Sequence, residues 1–313
     1  MPVRRGRTTK AERAQKRAKL GPLQDLTVAK RTKTLYTAAM AAFSLWMQIE
    51  RVEWPDDPWE LDPLLCEYAQ ECWQEGETKA TYANLLSALG DAEADIKPYM
   101  HAAWRLKTAW DKNEASVRCT PMTPSIVLAM AGLAFKWKWA DTGFTLLIAY
   151  HCLLRTGEAC SIRIGDLVFG DHTCTLNLPK TKSSVRTGVP ERATIEDARL
   201  ISALRIFIRG KAKGDYLQKC SPQQFRKRFK QLLQGLQLQE LYLIPYSLRR
   251  GGATQLFRDT NQMDLVADRG RWSNVKTARI YVDAALQDLD SVKIGSKAKQ
   301  LMAAAEKVLL QHL

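Results

Sequence analysis

Histidine is scarce in this chain: His101, His151, His172 and His312 are the only four in 313 residues. None has a ligand-type partner at i+3 or i+4, so no metal site is expected. Seven cysteines form no C-x-x-C pair. An odd count in a chain of this length fits a reducing compartment better than a disulfide framework. No apolar run reaches the roughly 18 residues of a membrane helix, and the N-terminus lacks the apolar stretch of a signal peptide. Neither a membrane span nor signal-directed secretion is expected. A glycine-rich loop of P-loop spacing is also missing, which argues against ATP-driven chemistry, and no cofactor is expected.

Acidic residues are in short supply too. Lys and Arg total 47 against 33 Asp and Glu, leaving a net charge of +14 and a pI of about 9.5. A field of that sign implies a polyanionic partner, most simply nucleic acid. The surplus is uneven: eight of the first twenty residues are Lys or Arg against one Glu. Residues 1–24 are expected to form a disordered basic tail that contacts DNA, directs nuclear localisation or only solubilises the chain.

The length suits two domains. Leu35, Ala39, Phe43, Trp46 and Met47 recur at helical spacing. Asp62–Pro63 offers a cap and first-turn signal for a second helix, Thr78 for a third and Pro98 for a fourth. A small helical bundle is therefore expected over 25–115, with its tryptophans in the core or at a domain contact rather than stacking on bases. The run NEASVRCTPMTP has linker composition, and Thr123 caps the first helix of a second domain, 116–292. There an apolar helix ends at Leu154–Arg155, HTCTLNL alternates like a half-buried strand, and RTGVP follows as a second strand. Ser221–Pro222 starts a helix carrying Arg226, Lys227, Arg228 and Lys230. Such a run is ordinarily a solvated face; in a basic protein it is expected to touch phosphate, and Lys180 is a further expected DNA contact. The last segment, 293–313, is a helix with an apolar stripe of Leu301, Met302, Ala305, Val308 and Leu309.

The chemistry concentrates in YSLRRGGAT, GRW and ARIY, residues 246–281. Ser247 is a plausible cap that would put Arg249 in a first helical turn, where free N–H groups favour an anion. The spacing lets Arg249, Trp272 and Tyr281 converge. Upstream, Arg155 is followed by Glu158, and a buried arginine requires such a partner.

Taken in order, Arg155, Glu158, Arg249, Trp272 and Tyr281 resemble the tyrosine recombinase (phage integrase) family over roughly residues 120–290. The shared motifs are Leu-Arg-x-Gly-Glu, the arginine of His-x-x-Arg with its Gly-Gly surroundings, a Trp after a glycine, and a tyrosine nine residues later. Tyr246 stands where that family has histidine. The resemblance implies a mainly helical, two-domain DNA-breaking-rejoining fold with a small hairpin or three-stranded sheet. It implies a catalytic lysine in that hairpin, Lys182 by counting back from Pro190, with Lys180 as competitor. It further implies a nucleophilic Tyr281, Arg155 and Arg249 on the phosphate, Trp272 positioning it, Glu158 orienting the site and Tyr246 in the histidine's place. Double-stranded DNA is the implied partner, with a homo-oligomer (a tetramer on paired sites), no membrane, and a location in the nucleus if eukaryotic or otherwise in the cytoplasm. The N-terminal bundle would clamp the DNA, and the last helix would either dock on a neighbouring protomer or pack on its own domain. Two other readings stay open: a catalytically inactive DNA-binding relative and a type IB topoisomerase-like enzyme.

Overall fold

The basic N-terminal segment, expected to be disordered, is helical over Lys10–Ala18. The computed structural model describes residues 9–115, 119–178, 181, 184, 188–279, 282 and 293–313. Within them α1 (Lys10–Ala18) starts at a capping box, in which Thr9 accepts from the Glu12 amide and Glu12 accepts from that of Thr9. No residue of α1 is buried. The correction has a local cause: a capped run of Ala, Lys, Arg and Gln forms helix without a core to pack on.

The chain divides into two units, Met1–Val117 and Arg118–Leu313. In the first, α2 (Lys30–Glu50), α3 (Pro58–Gln74), α4 (Lys79–Ala92) and α5 (His101–Asn113) surround Phe43, Leu61, Leu65, Tyr82, Leu85 and Met100. The α2 stripe of Ala39, Phe43, Trp46 and Met47 is buried, whereas Leu35 is exposed. Two local readings change. Helix α3 begins at Asp57, whose side chain accepts from the Trp59 amide. Asp62 caps a different helix, accepting from the amides of Ala102 and Ala103 at 2.8 Å each at the start of α5. The tryptophans also divide. Trp46 and Trp110 are core residues, while Trp54, Trp59, Trp73 and Trp104 are exposed. Three of the exposed rings lie edge-on against Phe43, Tyr99 and Trp110 on the outside of the bundle.

The second unit opens with α6 (Pro124–Lys136), whose cap Thr123 accepts from the Ile126 amide, and α7 (Ala140–His151). Both are buried along most of their length, as their largely apolar sequences require, with Asp141, Thr142 and Thr145 of α7 buried among them. A short helix, α8 (Thr156–Ser161), leads to strands β1 (Leu167–Phe169), β2 (Cys174–Leu178) and β3 (Glu191–Ile195), an antiparallel sheet in that order. Cys174, Leu176 and Leu178 face the core while Thr175 and Asn177 are half-buried, the expected alternation. Pro190 precedes β3 rather than ending it, since strand pairing begins at Glu191. Then come α9 (Ala198–Ile208), α10 (Pro222–Gly235), α11 (Tyr246–Thr260), α12 (Met263–Gly270), a helical stretch at 275–279, and α13 (Ser296–Leu310).

Helix α13, for which docking on a neighbour was one expectation, lies on α6 of its own chain. A Cβ at Gly132 would sit 1.9 Å from the Ala305 carbonyl oxygen, so the two helices touch backbone to backbone. Ala298, Met302, Ala305 and Leu309 are buried there. The mainly helical architecture with one small sheet is thus the expected one. Among the described residues no helix is long and apolar enough to cross a membrane.

Candidate active site

The site is built around an irregularity at the end of α7. Leu153 has φ 50°, a left-handed conformation that costs a side chain with Cβ roughly 1–2 kcal/mol. Its carbonyl accepts from two guanidiniums, Arg249 NH1 at 2.5 Å and Arg271 NH2 at 3.4 Å. Two residues on, Arg155 starts α8, and Glu158 turns back over it. Glu158 Oε2 accepts from the Arg155 amide at 2.9 Å, and Oε1 pairs with Arg155 NH1 at 2.6 Å. The Arg155 side chain stays 28% exposed while that of Glu158 is 4% exposed.

Helix α11 brings the second arginine. Its cap is Pro245, not Ser247, which lies inside the helix with its hydroxyl accepting from the Ile244 amide. Gly251 and Gly252 let the helix press inward: a Cβ would fall 1.9 Å from the Met122 carbonyl oxygen at the first and 2.3 Å from that of Tyr150 at the second. Arg249 ends up 1% exposed. Besides Leu153 it donates from NH2 to the Gly270 carbonyl at 2.6 Å, and its guanidinium carbon lies 4.4 Å from the centre of the Trp272 ring. Burial, then the nearby charges of Arg155 and Arg271, push its pKa down to about 10, against the opposing pull of Glu158 and Tyr246; it remains a cation at neutral pH. Of the two arginines expected on the phosphate, Arg155 is therefore half-buried and Arg249 fully buried. Each terminal nitrogen of Arg249 carries a second N–H beyond its carbonyl bond.

Arg271 is the residue that sequence reading passed over. Its NH2 meets Glu158 Oε2 at 2.8 Å and its Nε faces Glu191 Oε2 at 3.3 Å. Burial raises the Glu158 pKa, and Arg271, ahead of the contacts from Arg155, reverses the effect so that the carboxyl lies below its usual range. The ionised form stabilises the fold above that usual range, a contribution lost as the pH falls through the depressed value. Among the described residues, three guanidiniums stand against two carboxylates here, a positive surplus suited to a phosphodiester. Trp272 borders a small cluster of Leu153, Ala253, Val266 and Val282.

Arg155, Glu158, Tyr246, Arg249 and Trp272 are thus gathered in one place. Lys180, Lys182 and Tyr281 lie outside the described residues. A cavity of about 780 Å³ opens beside the site, lined by Thr156, Arg226, Phe229, Lys230, Tyr242 and Tyr246 among others.

Among the basic residues of α10, Arg226, Lys227 and Lys230 are exposed. Arg228 departs from expectation. Its NH1 lies 3.1 and 3.2 Å from the two oxygens of buried Asp141 and donates to Thr142 at 2.9 Å, with Trp139 against the guanidinium. The cause was visible in the spacing: Arg228 lies three residues after Phe225 and four before Leu232, on the buried stripe. Arg228→Ala is expected to cost about 1.5–3 kcal/mol in a denaturant melt and to leave the salt dependence of DNA binding unchanged. Arg226→Ala is expected to spare stability and to lower the log–log salt slope by about 0.9. The opposite pattern would put Arg228 on the DNA.

A mainly helical unit in which a three-stranded sheet, two arginine-bearing helix starts and a tryptophan turn meet has the fold of the tyrosine recombinases. Residues 136–288 match the phage integrase family. No curated protein sequence matches it. Among solved structures, a lambda integrase dimer bound to a COC′ core site is similar at 16% identity and a TM-score of 0.57, over 92% of this chain and 100% of that one. The Tn1549 transposon integrase in complex with transposon right end DNA is similar at 15% identity and a TM-score of 0.58, over 89% and 97%.

Proposed function

We propose that this chain is a site-specific DNA recombinase or integrase that breaks and rejoins double-stranded DNA through a 3′-phosphotyrosyl intermediate. The observation that carries the reading is the group of three guanidiniums and two carboxylates around the Leu153 carbonyl, with Tyr246 and Trp272 beside it. A positive surplus held by fixed donors, to which Lys182 adds, suits the non-bridging oxygens of a phosphodiester, whose negative charge grows in the transition state. Tyr281 forms the new phosphorus–oxygen bond and releases its proton to water, and the 5′-oxygen leaves with a proton from Lys182. Because the covalent bond keeps the energy of the broken one, rejoining needs no nucleotide. Arg155 holds the phosphate from the open side, Arg249 from beneath, and Trp272 positions it. DNA reaches the site along the cleft edged by Arg226 and Lys230. The N-terminal bundle clamps the duplex, and copies of the chain assemble as a tetramer on paired sites.

The deciding experiment is incubation of the wild-type chain with nicked suicide DNA substrates, followed by denaturing gels and peptide mapping. A covalent adduct at Tyr281 is expected. A chain that binds the DNA and forms no adduct is an inactive relative, a reading that Tyr246 in place of histidine favours. Cleavage without two-site recombination marks a topoisomerase-like enzyme. Tyr246 itself can donate a hydrogen bond to a phosphate oxygen but accepts a proton only at great cost. Tyr246→Phe is therefore expected to slow single-turnover cleavage about tenfold, the loss of one hydrogen bond to a charged group. Tyr246→His is expected to speed it near pH 7. If Tyr246→Phe cleaves as fast as wild type, the ring is only packing.

A further inference from the structure

Helix α12 ends on an arginine where the backbone favours glycine. Arg271 sits at the C-cap with φ 56° and ψ 43°. A left-handed arginine is held against its own backbone preference, so the side chain must be well anchored. It is 7% exposed. Its NH1 donates to the Cys152 carbonyl at 3.2 Å, its NH2 meets Glu158 Oε2 at 2.8 Å, and its Nε lies 3.3 Å from Glu191 Oε2, an ion pair without a hydrogen bond. One guanidinium therefore joins the end of α7, the first turn of α8, the first residue of β3 and the turn that carries Trp272.

Glu158 is the hinge of this arrangement. An ionised carboxylate only accepts, and its two oxygens take the Arg155 amide, the Arg155 guanidinium and Arg271. This holds Arg155 by one edge and leaves the rest of its fork on the open side. A protonated Glu158 would be in part a donor, and its grip on Arg155 would fail.

We propose that Arg271 is a positioning residue of this site: through Glu158 it fixes the Arg155 guanidinium in the orientation that receives a phosphate, and through Glu191 it ties that orientation to the start of β3. What Arg155 does rests on the strand-transfer reading above; what Arg271 holds does not.

The test is single-turnover cleavage of a suicide substrate between pH 5 and 8. Arg271→Met is expected to move the acid limb of the profile upward by about 1–3 pH units, the effect of losing an opposite charge at this range. Arg271→Lys is expected to restore most of the wild-type profile, and Glu158→Gln added to Arg271→Met to remove the upward shift, because the carboxyl that Arg271 held ionised is gone while Glu191 is still there. Arg271→Gln, which keeps a donor without the charge, carries the same comparison if the methionine variant does not fold. A profile that stays at the wild-type position overturns the proposal, as does a loss equal at every pH that lysine fails to rescue. If the wild-type chain forms no adduct, the strand-transfer reading falls by itself. The proposal is then decided by a carbon-13 glutamate titration: a raised Glu158 midpoint in Arg271→Met supports it, and an unmoved one overturns it.

Discussion

Replacing Arg249 with alanine is expected to slow single-turnover DNA cleavage by at least roughly 10² to 10³, the usual cost of removing one donor aimed at developing charge. The loss has two sources that can be separated. Arg249 is the buried charge nearest the Leu153 carbonyl and the Trp272 ring, so on the proposed reading its removal takes away stabilisation of the transition-state phosphate. It also leaves the Gly270 carbonyl without its guanidinium donor, at about 1–3 kcal/mol if it stays dry, leaves the Leu153 carbonyl with only the longer contact from Arg271, and takes the cation off the Trp272 ring. A lower melting temperature should therefore accompany the lower rate. Arg249→Lys keeps the charge but cannot reach both carbonyls while stacking on the indole, so it should recover some stability and little of the rate. On the proposed strand-transfer reading the group acts mainly in the transition state, and DNA affinity should then fall far less than cleavage. Equal losses in affinity and cleavage would make Arg249 a phosphate anchor and nothing more.

What the sequence made legible follows a physical rule. Arg155 and Glu158 are three residues apart, and Thr123 and Ser221 sit directly before the helices they cap, so short-range patterns reveal them. The alternation in β2 and the apolar runs of α6 and α7 are legible for the same reason: period and burial are local properties. Long-range polar contacts leave no such trace. Asp62 looks like the cap of its own helix and serves one 40 residues away. Arg271 sits in a turn with no pattern of its own, and its partners come from α7, α8 and β3. Arg269 likewise binds the His151 carbonyl and Glu196, linking α12 to α7 and the end of β3. Arg250 reaches the Cys119 carbonyl from α11. In a basic protein, every such arginine looks like a phosphate contact until its carbonyl partners are known. Arg228 is different, because the helical period that exposes Phe225 and Leu232 also places it inward.

Ending the chain at Gly295 removes α13 and is expected to unfold the C-terminal unit. The helix covers α6 so closely that only glycine fits at position 132 against the Ala305 carbonyl, and it buries Ala298, Met302, Ala305 and Leu309. Truncating a buried Met or Leu to alanine alone costs about 2–5 kcal/mol. Removing two such side chains, two buried alanines and the apolar cover over α6 together approaches the roughly 5–15 kcal/mol that holds a domain folded. Leu309→Ala is the graded version, expected to lower stability by about 2–5 kcal/mol in a denaturant melt without changing DNA contacts. Gly132→Ala should act from the other side, because its Cβ meets backbone, which cannot swing away as a side chain can. Any exchange of α13 between copies would have to bare the α6 face in one chain while covering it in another, so exchange and folding are coupled. A truncated chain that stays monomeric, melts like the full one and cleaves single sites normally while failing to pair sites would show that α13 belongs on a neighbour. Aggregation or a lost melting transition would show that this unit needs its last helix to fold.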